Sequence, residues 1–347
     1  MDVFFSRAVK RLLAALLVAV VVGLIYEQIG ERRDRQLLPQ IGRSVDIGGR
    51  SLNIFCSGEG RPAVIFDSGN NSPGYAWSNI QPEVAKLTRA CWFDRAGYGW
   101  SDPGPFPTTS AASSTDLHEL LHRAAIPAPY IFVGHSLGGL NARVYNGKYP
   151  TDLAGMVLVD AAHEDEPRRA PPAMLGRTVS RIWWHPIWIA GQAARRVGLL
   201  RLMRPRVTLP ADPAARTREE IVQALRLQPK TIATQFDPSA PDSYAEAERA
   251  GGFGDRPLIV LTRGRVSMPP NPSEVDRQLA AYEQVWQHEI QPKLAGLSTR
   301  GRQVIVAQSG HDIPDEAPEA VLTAVREVLA DVRGNQPQTG SGGATKH

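Results

Sequence analysis

Seven short, continuously apolar runs alternate with helix-like segments along most of this chain, and no other pattern restricts its fold as strongly. The runs are "RSLNIFC", "AVIFDSG", "ACWFDRAG", "YIFVGHS", "GMVLVDAA", "PLIVLTRG" and "QVIVAQSGH". Several lack the polar alternation of a strand with one wet face, so they suit a parallel sheet buried on both sides. Helical patterns such as "STDLHELLHRAA", "GGLNARVYNGKY" and "PEAVLTAVREVLADV" fall between or after them. This alternation predicts a doubly wound α/β domain with a mostly parallel sheet. At 347 residues, 42% hydrophobic and 21% charged, the chain can bury a large core, and wholesale disorder is excluded.

Residues 161–255 break the alternation. A structureless loop of that length is implausible, so the segment reads as a helical subdomain dividing the core into 45–160 and 256–332. From Arg168 to Arg206 every charged residue is Arg, interleaved with Trp183, Trp184 and Trp188. Two readings stay open. The segment is a cap whose apolar face packs over the core, with its arginines in water; or the cap also offers basic, Trp-bearing helices to a membrane interface or a lipidic ligand. It is too apolar for a solvated phosphate-binding face, which argues against nucleic acid.

Both termini stand apart from the core. A basic segment, 1–11, precedes the uncharged run Leu12 to Tyr26, and residues 12–29 read as a transmembrane signal anchor. A cleaved signal peptide is the competing reading, but no A-x-A-like site follows the run. Arg7, Lys10 and Arg11 face Arg32, Arg33 and Arg35 across it, so charge alone leaves the orientation open. The tail, 333–347, is rich in Gly, Ser and Gln and is expected to be disordered.

The most informative local feature is "YIFVGHSLGGLNARVY". Gly134-x-Ser136-x-Gly138 follows a strand and opens a helix, which is the setting of a nucleophile elbow. The glycines relieve the sharp turn, and the helix N-terminus offers free N–H groups where negative charge develops. A Ser hydroxyl needs a base. His311 follows the last strand in a Ser-Gly-His turn, whereas His118, His122 and His288 lie on helices, His347 lies in the tail, and His135 is expected to point away from the site. The acid that orients the base can follow either of two strands. The later one, "LTRGRVSMPPNP", offers no carboxylate; the earlier ends "MVLVD", which nominates Asp160. The chain order Ser136, Asp160, His311 fits this assignment. The oxyanion donors expected are the N–H groups of Leu137 and of Asn70, the latter in "FDSGNNSPGYAW", although Gly and Asn also serve plain turns. No metal-ligand cluster, phosphate loop or dinucleotide fingerprint appears, and no cofactor is implied.

At "VGHSLGG", "FDRAGYGWSD", "FDSGNNSPGYAW", "MVLVDAAHED" and "SGHDIPDEAPEAV" the chain resembles the α/β-hydrolase superfamily, in particular the capped, membrane-anchored members of its fold-1 group. The resemblance covers about Val45 to Val332. It departs from the family at Ser68-Gly69, where many relatives have His-Gly, and in lacking the usual acid after the later strand. It implies a helical cap after the sixth strand and a serine hydrolase, most simply a carboxylesterase or lipase acting on a small-molecule ester or lipid. A proline-iminopeptidase-like peptidase and a catalytically silent, membrane-anchored binding protein are the alternatives. Ser136 argues against the Asp-nucleophile relatives, the haloalkane dehalogenases and epoxide hydrolases. In the family's strand order the second strand runs antiparallel beside the fourth, which would bring Cys56 and Cys91 together. A Cys56–Cys91 disulfide would put the catalytic domain outside the cytoplasm.

Overall fold

The computed structural model describes residues 2–174, 180–205, 207–210, 212–266 and 268–334. Eight strands form one sheet: β1 (Arg43–Asp46), β2 (Ser51–Ser57), β3 (Ala63–Asp67), β4 (Ala90–Phe93), β5 (Tyr130–His135), β6 (Leu153–Val159), β7 (Leu258–Arg263) and β8 (Gly301–Val306). Their order is β1-β2-β4-β3-β5-β6-β7-β8. β2 runs antiparallel to both its neighbours, and every other pairing is parallel. Seven strands match the apolar runs. The eighth, β1, is an edge strand of four residues with only Val45 buried, so it carries no apolar run to read.

The continuous apolarity of the central strands has a direct structural cause. Alternate side chains of β3 enter two different cores. Ala63 and Ile65 pack with Leu117, Leu120 and Tyr145 of the helices on one face. Val64 and Phe66 pack with Trp77, Val325 and Leu329 on the other. At the antiparallel edge the register sets Cys56 opposite Cys91, and the two sulfurs lie 2.09 Å apart in a disulfide.

The N-terminal helix runs from Asp2 to Leu37, longer than the 12–29 segment expected. Its most apolar stretch has a mean hydropathy of 2.4 and no buried residues, so by length and composition it can cross a membrane. At the other end, the last helix, Pro318–Gly334, continues two residues into the segment read as tail. The expectation of disorder beyond residue 334 falls outside the described residues.

Between β6 and β7 the chain forms short helices, the longest being Trp184–Arg196, Arg218–Arg226 and Ala240–Glu248. This insertion is tied to the core by capping contacts. Asp237 accepts hydrogen bonds from the Thr108 N–H (2.5 Å) and hydroxyl (2.6 Å), and Glu246 accepts one from the Ala111 N–H (2.8 Å). The helix Ser110–Arg123 therefore starts against two carboxylates of the insertion, a favourable position for negative charge. Of the three tryptophans, Trp184 and Trp188 are buried, Trp188 against Phe106 of the core, and Trp183 is exposed.

Candidate active site

Ser136 stands between β5 and the helix Leu137–Lys148 with φ 53° and ψ −118°, a conformation costly for a residue with a Cβ. Its neighbours explain why the turn demands glycine. A Cβ on Gly134 would lie 2.4 Å from the Gly138 carbonyl oxygen, and one on Gly138 would lie 2.4 Å from that of Asp67. Backbone bonds hold the turn in place: the Ser136 N–H donates to Val159 (3.1 Å), and its carbonyl accepts from Gly139 (2.9 Å) and Ala162 (3.1 Å). Among the described residues the Ser136 hydroxyl has no hydrogen-bond partner, and it faces an open cleft.

His311 follows β8 and lines the same cleft. Its Nδ1 lies 2.6 Å from Asp160 Oδ2. Asp160, fully buried just past β6, accepts three further hydrogen bonds. These come from the Arg263 N–H (3.1 Å), Arg263 Nη1 (2.7 Å) and Trp286 Nε1 (2.8 Å). Burial alone would raise the pKa of this carboxyl, but His311, Arg263 and Trp286 outweigh it and hold it at about 2. For His311 burial disfavours the charged form, yet the hydrogen bond and negative charge of Asp160 prevail and lift its pKa above the ordinary histidine value. Asp160 is therefore ionised, and His311 is more basic than an ordinary histidine.

The Leu137 N–H opens the helix, and Asn70 lies across the cleft on the loop after β3. Neither N–H has a protein acceptor among the described residues, and both residues line the cleft beside Ser136. The loop is fixed from below by buried Arg95. Its guanidinium binds the Asp67 carboxylate and donates to the carbonyls of Ser68 (2.5 Å) and Gly69 (2.6 Å). Asn141 Nδ2 holds the other Asp67 oxygen at 2.8 Å. Tyr98 packs under Arg95 and donates to Asn70 Oδ1 (3.2 Å).

One expectation is corrected. His135 does not point away: its Nε2 lies 2.9 Å from the His311 carbonyl oxygen, and the two rings stand 4.8 Å apart. Burial and the neighbouring imidazole lower its pKa, so the ring is neutral and its Nε2–H donates to that carbonyl. His135 thus tethers the loop that carries His311. The other histidines stay out of the site. His118 stacks on Tyr149 and meets Asp152 at 3.0 Å, His122 and His288 are exposed, and His347 lies outside the described residues. Glu274 is exposed and paired with Arg277.

Arg95, Arg263 and Trp286 were not singled out from the sequence. Arg263 carries the clearest missed signal, a charged residue closing the apolar strand "LIVLTR" where a carboxylate was sought. The cleft has two lobes that meet at Ser136 and Asn70, one of about 190 Å³ and one of about 350 Å³. Among the described residues no group of three or more His, Cys, Asp and Glu side chains could hold a metal ion.

Comparison with known proteins agrees with this architecture. The uncharacterized protein YbdG of Bacillus subtilis is 28% identical over 151 residues, covering 43% of this chain and 46% of YbdG. An AB hydrolase superfamily protein of Gibberella zeae is 22% identical over 304 residues, covering 79% and 88% of the two chains. The chain covers less than half the length of the curated relatives it matches first. Among solved structures, a thermophilic esterase from Thermogutta terrifontis superposes with a TM-score of 0.53 at 22% identity, covering 84% of this chain and 99% of the esterase. The model of the alpha/beta hydrolase family matches residues 64–324, three-quarters of the chain with Ser136, Asp160 and His311 inside it, and the chain belongs to that family.

Proposed function

We propose that this protein is a serine hydrolase that cleaves a carboxylic ester through an acyl-enzyme. Ser136 is the nucleophile, His311 the base, Asp160 the orienting acid, and the N–H groups of Leu137 and Asn70 form the oxyanion hole. The observation that carries the reading is the shared cleft: the His311–Asp160 pair opens onto the same space as a strained Ser136 with a free hydroxyl.

Ser136 Oγ adds to the ester carbonyl as His311 Nε2 takes its proton, and Asp160 stabilises the imidazolium through Nδ1–H. The oxyanion is met by N–H groups that need no reorganisation, because Arg95 and the helix hold them. His311 returns its proton to the alcohol oxygen as the C–O bond breaks. Water then adds to the acyl-enzyme, with His311 again taking and returning a proton, and the carboxylic acid leaves.

The attachment and domain layout belong to the same reading. The core, 45–160 and 256–332, carries the site, residues 161–255 cap it, and the N-terminal helix anchors it in a membrane. The paired Cys56 and Cys91 favour an oxidising compartment, so the core lies outside the cytoplasm. Non-reducing peptide mapping of protein from its native membrane checks this, and two alkylatable thiols would reverse the orientation.

A fluorophosphonate probe tests the chemistry on the full chain. Wild type should label and turn over p-nitrophenyl esters, and Ser136→Ala should do neither. Turnover of amino-acid amides in preference to esters would replace the esterase reading with a peptidase.

A further inference from the structure

The insertion is clamped to the N-terminal helix, and the clamp sets the level of an apolar face. Arg201 Nε and Nη2 bind Glu27 (2.8 and 3.0 Å), while its Nη1 binds Asp34 (2.8 Å). Arg204 adds a second bond to Asp34 (3.1 Å), and Arg195 reaches Glu31 (3.3 Å). The contact continues down the helix into its uncharged run. A Cβ on Gly23 would lie 2.4 Å from the Val197 carbonyl oxygen, and one on Gly198 would lie 2.7 Å from the Tyr26 ring. The insertion therefore touches the N-terminal helix about one turn inside the end of its apolar run.

Beside these contacts, between the levels of Gly23 and Asp34, the insertion leaves large apolar side chains exposed. Leu202 is 68% exposed and Met203 72%, with Ile189 and Leu199 also exposed. Such a cluster is costly in water and marks an interaction surface. Charge narrows the choice of partner. Arg32, Arg33 and Arg196 are exposed, and none has an ion-pair partner among the described residues. Arg32 stands nine residues above Gly23, about 14 Å along a helix, which is the headgroup zone for a helix that leaves the hydrocarbon near Tyr26. Exposed apolar side chains on the insertion, flanking a helix that carries unpaired Arg32 and Arg33 just beyond its apolar run, match an interface between acyl chains and anionic headgroups.

We propose that the face formed by Ile189, Leu199, Leu202 and Met203 inserts into the leaflet from which the N-terminal helix emerges. The occupant of this face is the lipid surface itself, and the Glu27–Arg201–Asp34 clamp holds the insertion at that depth. The inference rests on reading the N-terminal helix as a membrane span, and it is independent of the chemistry at Ser136.

The test uses the full chain in phosphatidylcholine vesicles containing phosphatidylglycerol. Both native cysteines are in the disulfide, so single cysteines can carry an environment-sensitive fluorophore. Leu202→Cys and Met203→Cys report the face, Leu17→Cys the middle of the span, and Ile305→Cys, on the edge strand β8, the aqueous surface. Spin-labelled lipid should quench the labels at 17, 202 and 203 about twofold or more, and leave 305 unchanged. Quenching at 17 with none at 202 or 203 would overturn the inserted face and leave the span intact. No quenching at 17 would overturn the span and this inference with it. Neither result bears on fluorophosphonate labelling of Ser136.

Discussion

Two arginines in this molecule are bonded almost alike, and their settings differ. Arg263 joins Asp160 to Glu283, with Nη1 at 2.7 Å from Asp160 and Nε at 2.7 Å from Glu283. Arg201 joins Glu27 to Asp34, at 2.8 Å each. Both guanidiniums are nearly buried, and each neutralises part of a carboxylate pair that would otherwise repel. The partners differ in what else they hold. Asp160 also carries His311, whereas among the described residues the Glu27 and Asp34 carboxylates bind only arginines of the insertion. The same electrostatic device serves two ends: in the cleft it tunes a group expected to change charge during a reaction, and at the seam it fixes two segments in place. Breaking each should therefore change a different observable.

The largest effect is expected at the carboxylate that Arg263 and His311 share. Asp160→Asn keeps the shape and the acceptor oxygen but presents an amide to His311, favouring the wrong tautomer and removing the charge that stabilises the imidazolium. Turnover of p-nitrophenyl acetate should fall by about 10⁴-fold, with the circular dichroism of the protein unchanged. A loss smaller than tenfold would mean that another group orients His311. The Arg201 side has no counterpart, since Asp34→Asn touches nothing in the cleft.

Arg263→Met comes next, and pH is its most telling readout. Arg263 lowers the pKa of both Asp160 and His311 through its charge. Without it the His311 pKa rises further, so the acid limb of kcat/KM should move to higher pH, because only neutral His311 accepts the Ser136 proton. Turnover on the plateau should fall roughly 10- to 100-fold as Asp160 loses the guanidinium, one of its four donors, while the backbone N–H at 263 stays. Acid stability shifts in the same direction. The depressed Asp160 pKa stabilises the fold above the unfolded value of about 4, and this is lost as pH falls through about 2. In the variant the Asp160 contribution is smaller and is exhausted at a higher pH than in wild type. An unmoved acid limb would show that Arg263 is structural only, like Arg201.

What could be read from the sequence follows the same division between local and distant partners. Ser136 was legible because strand, Gly-x-Ser-x-Gly and helix are contiguous, and the turn needs glycine at 134 and 138 for steric reasons. His311 and Asp160 were legible because each closes an apolar run whose chain order restricts its role. Arg263, Trp286, Arg95 and His135 were not, because their parts are defined by groups far away in sequence. Trp286 reaches Asp160 across 126 residues and His135 reaches His311 across 176. Nothing local marks either contact. The same holds for the fold. Buried strands announced themselves by unbroken apolarity, while β1 buries one side chain and left no trace. The Arg-rich insertion was visible as composition, but that Arg201 meets Glu27, 174 residues earlier, required the structure.

The smallest expected change, Arg201→Met, asks whether the seam is purely structural. Removing the guanidinium leaves Glu27 almost buried without its partner, while Asp34 keeps Arg204. Breaking a buried pair costs about 3–5 kcal/mol, and the surviving Arg204 bond and the open water beside Glu31 and Arg35 place this case at or below the low end. The apparent Tm of the full chain in detergent should drop by a few degrees, on the order of 5 °C. Short soluble esters should still be hydrolysed within about twofold of wild type, with the acid limb of the pH profile unmoved, because no atom of the seam contacts Asp160 or His311. Glu27→Gln paired with Arg201→Met should recover part of the lost Tm, since the neutral pair leaves no buried charge unmatched. A loss of soluble-ester turnover comparable to that of Arg263→Met would mean that the seam governs the cleft, and the two arginines would then have to be read as parts of one device.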